Sequence, residues 1–464
     1  MNGKHITNLG FTGADIRLAL DAAGRREAMG LTRHEILAEL ALVRQNPAGY
    51  LGGTYDTLAR SLEAQLQEEI DQLADQLHER PQPYTVYGAE LIEEGARAQM
   101  DVAMRLPVSR SGALMPDAHV GYGLPIGGVL AAENAVIPYG VGVDIGCSMR
   151  LSVFARGSLS TAEAQQLLER HTRFGAGVGW DRRERLPHEV LDDPDWQALP
   201  LLRHLHDKAV TQLGTSGSGN HFAEFGRFTL EQEQNGVPAG DYLALLTHSG
   251  SRGFGAQVAG HYTRLAEAAR PGLDPAAKKL SWLSLDSEEG QEYWTAMNLA
   301  GRYALANHEQ IHQRISRALK MTPLLSVSNS HNLAWKQMVD GRELIVHRKG
   351  ATPAARGQLG LIPGSMADPA FLVRGRGEPA ALESASHGAG RQLGRKAAER
   401  SLNKRDVQQY LKERGVTLIG GGIDEAPQAY KRIEQVIAAQ QPLVEVLGRF
   451  QPQVVRMDTG SEDI

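Results

Sequence analysis

The stretch from Pro116 to Arg150, PDAHVGYGLPIGGVLAAENAVIPYGVGVDIGCSMR, constrains the fold most, because its glycines crowd around apolar residues of the β type. It also contains the only cysteine of the chain, Cys147, three residues after Asp144. Glycine allows tight turns and close backbone approaches that other residues resist. A lone thiol beside a carboxylate could be a nucleophile, a metal ligand or a core residue, so its role depends on the other segments.

Composition narrows the class of protein. The chain has 464 residues, of which 42% are hydrophobic and 22% are charged, as in ordinary soluble globular proteins. One cysteine excludes an intramolecular disulfide, and Met1–His5 lacks the apolar core of a signal peptide, so we expect a cytoplasmic location. No run approaches the roughly 18 apolar residues of a membrane span. The net charge of −5 gives no general attraction to nucleic acid, so any polyanion site must be a local groove.

Residues 1–85 predict a helical region. Thr32 and Glu35 have the spacing of a capping box, and a second helix carries apolar residues three and four apart, at Leu58, Leu62, Leu66, Ile70, Leu73 and Leu77. We expect that stripe to pack on the main body or on another copy of the chain.

From about Val86 the pattern changes to short apolar runs separated by glycine turns, which predicts strands. A second capping box, Ser160 with Glu163, predicts a helix to about His171, and Tyr293–Leu319 predicts a longer one. The sequence therefore predicts an α+β fold, with residues 86–464 as one domain. The strand candidates are Val108–Met115, Gly127–Leu130, Arg150–Phe154, Tyr242–Thr247, Leu324–Val327, Glu343–His347 and Gln358–Ile362.

Five later segments place a histidine among glycines, serines or basic residues, as turns do. A single histidine is more often structural than chemical. Together with Asp144 and Cys147, however, these imidazoles make a mixed ligand set suited to Zn²⁺ or Mn²⁺. A two-metal site would stabilise both the attacking and the leaving oxygen of a phosphoryl transfer. The five segments contain His221, His248, His331, His347 and His387.

Two glycine- and serine-rich segments could cradle a phosphate, because they offer backbone N–H groups and hydroxyls with little bulk. They are residues 214–219, GTSGSG, and Pro363–Met366. Neither matches a Walker A loop or a GxGxxG turn, and both could simply be tight turns.

His387 differs from the other histidines because Ser386 and Gly388 flank it and Arg391 follows four residues later. A neutral imidazole can attack phosphorus directly, and Arg391 could stabilise the developing charge. The alternative is a helix N-terminus with Ser386 as its cap and a solvated basic face.

The order of these segments resembles the RtcB family of RNA-splicing ligases, which join RNA ends carrying a 2′,3′-cyclic phosphate or 3′-phosphate to 5′-hydroxyl ends. The resemblance extends from about Met115 to Tyr430. It rests on PDAHVGYGLPIGG, GVDIGC, GSGNHFAE, THSGSRG, SHN, HRKGA, IPGSM, SHGAGR and GGGIDEAPQAYK occurring in the family's order.

This resemblance implies a mixed α/β core with central sheets around a deep metal cleft. It implies two Mn²⁺ ions with Cys147 as the bridging ligand, GTP as co-substrate, and His387 as the residue that GTP guanylates. RNA ends are the implied substrate, and an activating protein is a possible partner. The implied metal ligands are Asp144, Cys147, His221, His248 and His331. The implied nucleotide-binding residues are Asn220, His221, Phe222, Ala223, Glu224, His331, Asn332, Pro363, Gly364, Ser365, Met366, His387, Gly388, Ala389 and Gly390.

The chain departs from the family pattern at three places. Ser148 follows Cys147 where glycine is frequent, Ala367–Ala370 replaces a Gly-Thr-Ala-Ser-like stretch, and Asp458 lies near the place of a guanine-contacting lysine. Two alternatives therefore stay open beside the ligase. One is a metal-dependent RNA-end phosphoesterase that does not ligate, and the other is a non-catalytic RNA-end binding protein.

Overall fold

A computed structural model describes residues 1–155 and 159–459, with the backbone alone for residues 68–73. The chain divides into two compact units. One comprises Met1–Gln76 with Pro271–Leu273, and the other comprises Leu77–Arg270 with Asp274–Ile464. Among the described residues, no helix is long and apolar enough to cross a membrane.

The first unit is helical, as its sequence predicts. The predicted capping box is confirmed, because Thr32 Oγ1 accepts from Glu35 N and the Glu35 carboxylate accepts from Thr32 N. The apolar cluster of this unit takes in Leu58 and Leu62. The helices are α1 (Gly3–Asn8), α2 (Gly13–Ala28), α3 (Arg33–Gln45) and α4 (Asp56–Ala74).

The predicted leucine stripe is wrong at one position. Leu66 is 48% exposed and lies on α4, and among the described side chains of α4 the apolar cluster takes in Leu58 and Leu62, so packing of Leu66 on another copy stays a prediction. Leu77 lies beyond the end of the helix at Ala74. The side chains of Ile70 and Leu73 lie outside the described residues.

The second unit combines two large sheets with nine helices in its described part, which confirms the α+β class. Each predicted strand overlaps an observed one, with bounds that differ by a few residues. The strands are β1 (Tyr84–Val86), β2 (Ser109–His119), β3 (Ile126–Ala132), β4 (Ala135–Val136), β5 (Ser148–Phe154), β6 (Phe222–Leu230), β7 (Gly240–Ser249), β8 (Leu283–Ser284), β9 (Leu325–Ser330), β10 (Asn332–Val339), β11 (Arg342–Lys349), β12 (Ala351–Pro353), β13 (Leu359–Ile362), β14 (Ala370–Gly375), β15 (Ser384–Ser386), β16 (Thr417–Ile419) and β17 (Val444–Met457).

Helices connect and cover these strands. The two predicted helices are present, and the longer one begins five residues earlier than Tyr293, where Ser287 caps it. The helices are α5 (Glu94–Ala103), α6 (Pro138–Val141), α7 (Thr161–His171), α8 (Pro200–Gln212), α9 (Arg252–Ala269), α10 (Glu288–Leu319), α11 (Arg395–Ser401), α12 (Lys404–Glu413) and α13 (Ile433–Ala439).

One sheet has five strands in the order β1-β2-β3-β11-β10. The other has eight, with seven in the order β13-β14-β17-β6-β7-β5-β9 and β16 paired to β17. Neighbours of β7 and β5 in this second sheet are antiparallel, so the starts of β5 and β6 and the ends of β7 and β9 share one edge. This edge positions the candidate site.

Ser386 does not cap a helix, so that prediction is wrong. It lies in β15, where it pairs with Ala351, and the next helix, α11, begins only at Arg395 after Gly394. The backbone pairing of β15 holds Ser386 in an extended conformation, and the segment with His387 follows as a loop.

Candidate active site

The shared strand edge brings together the five residues predicted as metal ligands. Cys147 directly precedes β5 and His221 directly precedes β6, while His248 lies near the end of β7 and His331 directly follows β9. Two groups of three form, Asp144 with Cys147 and His221, and Cys147 with His248 and His331. Cys147 therefore belongs to both groups.

The distances within this metal-ligand cluster suit a cation. Cys147 Sγ lies 3.1 Å from His248 Nε2 and 3.6 Å from His221 Nε2. His248 Nε2 lies 3.3 Å from His331 Nε2, and His221 Nε2 lies 3.0 Å from Asp144 Oδ2. Nitrogen and sulfur ligands around one tetrahedral divalent ion are separated by about 3.3–3.6 Å.

The hydrogen bonds of the rings fix where their lone pairs point. His221 Nδ1 donates to the Ser216 carbonyl at 2.9 Å, and His248 Nδ1 donates to the Asn220 carbonyl at 3.0 Å. A neutral imidazole then carries its lone pair on Nε2, which in both rings faces the cluster. His221 Nε2 also lies beside the Asp144 carboxylate, so a nitrogen, a carboxylate oxygen and the Cys147 sulfur converge on one point. Borderline divalent ions bind such mixed donors, so the residues present fit a metal.

Burial sets the charges of the cluster. It lowers the pKa of His248 to about 3, so this ring is neutral at neutral pH. Burial and then the negative charge of Asp144 raise the pKa of the Cys147 thiol well above its usual range. A cation would have to bring out the thiolate that binds metals.

The loop before His221 requires glycine. Gly217 has φ 109°, and a Cβ there would lie 2.1 Å from the Arg252 guanidinium and 2.3 Å from His221 Nδ1. Asn307 of α10 holds the start of the same loop, because its side-chain oxygen accepts from Gly214 N at 2.7 Å. The predicted phosphate cradle at residues 214–219 therefore lies directly behind the cluster.

His387 lies beside the cluster, with its ring centroid 5.0 Å from that of His331. Its Nδ1 lies 2.7 Å from Asp117 Oδ2, which also accepts from the backbone N–H of His387 and Gly388. The Asp117 side chain is fully buried. Although burial opposes its ionisation, the hydrogen bond and charge of His387 hold the pKa of this carboxyl below its ordinary value. Asp117 therefore fixes Nδ1 as the donor and leaves Nε2 free to react.

A cavity of about 210 Å³ opens at His387, and we call it the His387 cavity. Most residues predicted to bind the nucleotide line it. They are Asn220, Phe222, Pro363, Gly364, Ser365, Met366, His387, Gly388, Ala389 and Gly390.

Five predicted nucleotide-binding residues do not line this cavity, and two of them, His221 and His331, belong to the metal-ligand cluster. Ala223 and Glu224 lie buried in β6. Asn332 accepts from Gly350 N at 2.7 Å and donates to the Asp144 carbonyl at 3.2 Å, so its amide holds the backbone around the metal-ligand cluster.

The departure at Ala367–Ala370 has a structural consequence. The Asp368 carboxylate accepts from Ser365 Oγ and, at 2.9 Å, from Tyr410 Oη, while Gly364 N donates to the Pro369 carbonyl. The segment therefore fastens the Pro363–Met366 loop to α12. Asp368 also accepts the proton of the Ser365 hydroxyl in a hydrogen bond.

Sequence reasoning missed two residues of the site. Asp117 stands in the PDAH run, inside the Pro116–Arg150 stretch, but nothing in the sequence links it to His387, 270 positions later. Arg252 begins α9 with φ 58°, a conformation that non-glycine residues rarely adopt and that is frequent at functional sites. The sequence signal that could have indicated Arg252 is its position directly after the HSGS run, which contains the predicted ligand His248.

Comparison with known proteins agrees with this arrangement. A family model described as RtcB, tRNA-splicing ligase RtcB, matches residues 99–173 and 155–458, which is more than half of the chain. The chain belongs to the RtcB family. The RNA-splicing ligase RtcB of Escherichia coli K12 is 32% identical over 386 residues, covering 77% of this chain and 92% of that protein.

Other RtcB relatives are similarly distant. The RNA-splicing ligase RtcB of Mycobacterium tuberculosis is 32% identical over 428 residues, covering 76% of this chain and 98% of its own length. The tRNA-splicing ligase RtcB of Thermococcus kodakarensis is 32% identical over 419 residues, covering 73% and 85%. The RtcB match spans the metal-ligand cluster and the His387 cavity.

Proposed function

We propose that this RtcB member is a GTP- and Mn²⁺-dependent ligase that joins RNA 3′-phosphate or 2′,3′-cyclic phosphate ends to 5′-hydroxyl ends. The observation that carries the proposal is the position of His387, whose ring lies beside His331 and whose Nδ1 is held by Asp117. A reactive imidazole next to a site for divalent cations is the arrangement that nucleotidyl transfer to histidine needs.

Two groups would hold two Mn²⁺ ions, Asp144 with Cys147 and His221, and Cys147 with His248 and His331. When bound, the ions supply positive charge to the phosphoryl oxygens during transfer. Cys147 holds the ions in this proposal and does not act as a nucleophile.

Each step of the proposed reaction is a phosphoryl transfer. His387 Nε2 attacks the α-phosphorus of GTP, the bond to the β-phosphate oxygen breaks, and pyrophosphate leaves. Asp117 keeps the Nδ1 proton in place and stabilises the positive charge on the ring, as a carboxylate does in a Ser-His-Asp triad. The product is a phosphoramidate between His387 and GMP.

The RNA then replaces His387 as the holder of GMP. An oxygen of the 3′-phosphate attacks the phosphorus of the phosphoramidate, and His387 leaves. The 5′-hydroxyl of the second RNA next attacks the 3′-phosphate, which forms the phosphodiester and releases GMP. A cyclic phosphate is first hydrolysed to the 3′-phosphate.

Covalent labelling tests this proposal. The protein is incubated with Mn²⁺ and each of the four α-³²P ribonucleoside triphosphates, and we expect an acid-labile, base-stable label from GTP. His387→Ala should abolish the label while the bound manganese, measured by elemental analysis, is unchanged. Absence of label with every nucleotide would contradict the ligase.

One observation favours a second function, a metal-dependent RNA-end phosphoesterase. Ser365 Oγ donates its proton to the Asp368 carboxylate, so this hydroxyl has no proton left to donate to a nucleotide. Hydrolysis of a cyclic phosphate without nucleotide, together with no label and no joined RNA, would support the phosphoesterase. Joined RNA in the presence of GTP would exclude it.

A further inference from the structure

The loop between β2 and β3 projects from the rim of the His387 cavity. It comprises residues 120–125, and we call it the rim loop. The residues on either side of it, His119 and Ile126, pair with each other, and both line the cavity. Three residues of extended chain span at most about 11 Å, so the Cα of Tyr122, at the tip of the loop, lies within that distance of the Cα of His119.

The Tyr122 side chain is unusually exposed for an aromatic residue. It is 75% exposed, whereas every other tyrosine, tryptophan and phenylalanine in the described part of the chain is buried or half-buried. Within that part of the chain, its ring contacts no other ring and its hydroxyl forms no hydrogen bond. Val120, in the same loop, is also about half exposed, at 49%. Apolar side chains grouped at one exposed place indicate an interaction surface.

The backbone of the rim loop is held by polar side chains that precede or belong to α5. Val120 N donates to Glu93 Oε1 at 2.8 Å. Gly121 N donates to Gln99 Oε1 at 2.9 Å, and the Gly121 carbonyl accepts from Gln99 Nε2 at 2.6 Å. These bonds fix the loop before any ligand binds, so a ligand that stacks on its ring orders little of the protein.

Lys349 connects the tip of the loop to the reactive histidine. Its Nζ donates to the Tyr122 carbonyl. The next residue, Gly350, lies against His387, since a Cβ on Gly350 would be 3.1 Å from His387 Cε1. The exposed ring and the imidazole are therefore held by two consecutive residues of one segment.

Lys349 also adjoins the segment that leads to the metal-ligand cluster. A Cβ on Gly142 would lie 3.6 Å from Lys349 Cε. Val143 follows, 47% exposed, and the next residue is the predicted ligand Asp144. The apolar surface at the rim therefore extends from the rim loop towards both predicted reaction components, His387 and the metals.

This surface carries little free positive charge. Burial lowers the pKa of Lys349 to about 7, and its amine is already bonded to the Tyr122 carbonyl. Lys279 lies beside the loop but pairs with Glu267 at 2.8 Å. The loop therefore offers a ligand mainly the face of a ring. Nucleobases bind such a face by stacking, whatever their sequence, because every base has a π-face.

The position of the ring favours an RNA end as the occupant. In the proposed reaction the 3′-phosphate comes to His387, so the rest of that strand leaves the cavity across its rim. The distance of about 11 Å from His119 to Tyr122 equals the rise of about three stacked nucleotides. A protein bound on the same ring would cover the entrance that the RNA end needs.

We propose that Tyr122 stacks on one of the last three bases of the RNA strand that carries the 3′-phosphate, and that it thereby positions this end at His387. Val120 and Val143 extend the apolar surface on either side of the stacked base. The identity of the ligand as this strand rests on the proposed function.

Fluorescence anisotropy of short RNAs tests this proposal. With Mn²⁺ and without nucleotide, it compares two hexanucleotides of one sequence. One has a free 3′-phosphate and a fluorophore on its 5′ end, and the other has a free 5′-hydroxyl and the fluorophore on its 3′ end. In Tyr122→Ala we expect affinity for the 3′-phosphate strand to fall roughly tenfold, as the loss of one stacked base does. The slope of log K against log salt should not change, because no phosphate contact is lost.

Two further variants separate stacking from other effects. Tyr122→Phe keeps the aromatic face and should retain the affinity of the unmodified protein. Met338→Ala removes another apolar side chain, which is 65% exposed near the end of β10 and outside the rim loop. This control should bind both strands as the unmodified protein does.

Abasic sites identify the stacked base. Each of the last three bases of the 3′-phosphate strand is removed in turn, leaving its ribose in the chain. At the stacked position, the abasic RNA should bind the unmodified protein about as weakly as the intact RNA binds Tyr122→Ala. Combining the two changes should then cause no further loss of affinity.

Each outcome decides the proposal. A loss confined to the 3′-phosphate strand, restored in Tyr122→Phe, supports it. The proposal is overturned if neither strand loses affinity, if both or only the 5′-hydroxyl strand lose it, or if Met338→Ala loses as much. It is also overturned if Tyr122→Ala keeps its RNA affinity but turns a dimer into a monomer in sedimentation, since the loop would then bind another copy. Labelling of His387 by GTP needs no RNA, so absence of label in the unmodified protein contradicts the proposed function without deciding the role of Tyr122.

Discussion

The metal-ligand cluster and the His387 cavity are adjacent, but their polar groups are satisfied differently. In the cluster, His221 Nε2 and Asp144 Oδ2 lie 3.0 Å apart, and His331 Nδ1 is buried without a partner among the described residues. In the cavity, His387 has its partner in Asp117, and Ser365 has its partner in Asp368. The cluster therefore presents converging donor atoms that a cation would satisfy, whereas in the cavity a carboxylate holds His387 and another holds the Pro363–Met366 loop, although Asp117 Oδ1 also lacks a partner among the described residues.

This difference separates two kinds of residue. Substitutions in the metal-ligand cluster should change metal affinity and metal-dependent stability together. Substitutions around the His387 cavity should change nucleotide chemistry while the metal stays bound.

The largest effect should come from Asp117→Asn. The variant removes the carboxylate that holds His387 Nδ1 and stabilises the charged ring, so we expect the labelling rate to fall by about 100-fold or more. Single-turnover labelling with GTP measures this rate. Manganese content should be unchanged, and loss of the metal would show that Asp117 belongs with the cluster.

Cys147→Ser should affect the metal first. Cys147 belongs to both ligand groups, and a serine hydroxyl is a poor substitute for a thiolate at a soft site. At a Mn²⁺ concentration 100 times the dissociation constant, the metal should add about 2.7 kcal/mol to the free energy of unfolding. We expect most of this increment to vanish in the variant.

Thermal unfolding with and without Mn²⁺ checks the Cys147 prediction. In the absence of metal, the variant should unfold within a few degrees of the unmodified protein. An equal Mn²⁺ increment in both proteins would contradict a ligand role for Cys147.

Buried histidines allow a third test, because each region has one that is not a predicted ligand. Burial lowers the pKa of His308, behind the cluster, to about 3 and that of His119, beside the cavity, to about 4. Below the unfolded pKa of about 6.5 the unfolded chain takes up protons that the folded chain does not, so acid destabilises the fold. Each histidine should lower the free energy of unfolding by about 2 kcal/mol between pH 7 and pH 5.

Denaturant unfolding of metal-free protein at pH 7, 6 and 5 measures this loss. His308→Gln and His119→Gln should each reduce the pH dependence by about one histidine's share. His119→Gln should do so without changing Mn²⁺ affinity at neutral pH. An unchanged dependence in either variant would mean that the folded pKa of that histidine is close to 6.5.

The sequence predicted the strand-rich second unit well because apolar runs between glycine turns are local signals. Short glycine- or serine-rich contexts also drew attention to Asp144, Cys147 and the histidines, and the resemblance to the RtcB family selected Asp144, Cys147, His221, His248 and His331 as candidate ligands. That these residues meet depends on antiparallel pairing among β5, β6, β7 and β9. This pairing is set by the whole sheet.

Other features had no local signal. The bond from Asp117 to His387 spans 270 residues, and the side-chain pairs Ser148–Ser330, Arg150–Ser328 and Ser152–Ser326 between β5 and β9 span 182, 178 and 174 residues. Ser386 illustrates the opposite error, because its flanking residues suit a helix cap while pairing with Ala351 makes it part of a strand. Long-range pairing overrode a local preference there.

The smallest expected effect tests whether the His387 cavity is held in shape by its own contacts. Tyr410→Phe removes one hydrogen bond to Asp368, the residue that fastens the Pro363–Met366 loop. We expect a loss of about 1 kcal/mol in the free energy of unfolding, with nucleotide affinity reduced severalfold and Mn²⁺ affinity unchanged. Tyr242→Phe is a matched control, because its hydroxyl donates to the Pro238 carbonyl at the surface. Tighter nucleotide binding by Tyr410→Phe would instead mean that Asp368 holds the loop away from its bound position, and the cavity would then resemble the cluster in needing its ligand to reach its final shape.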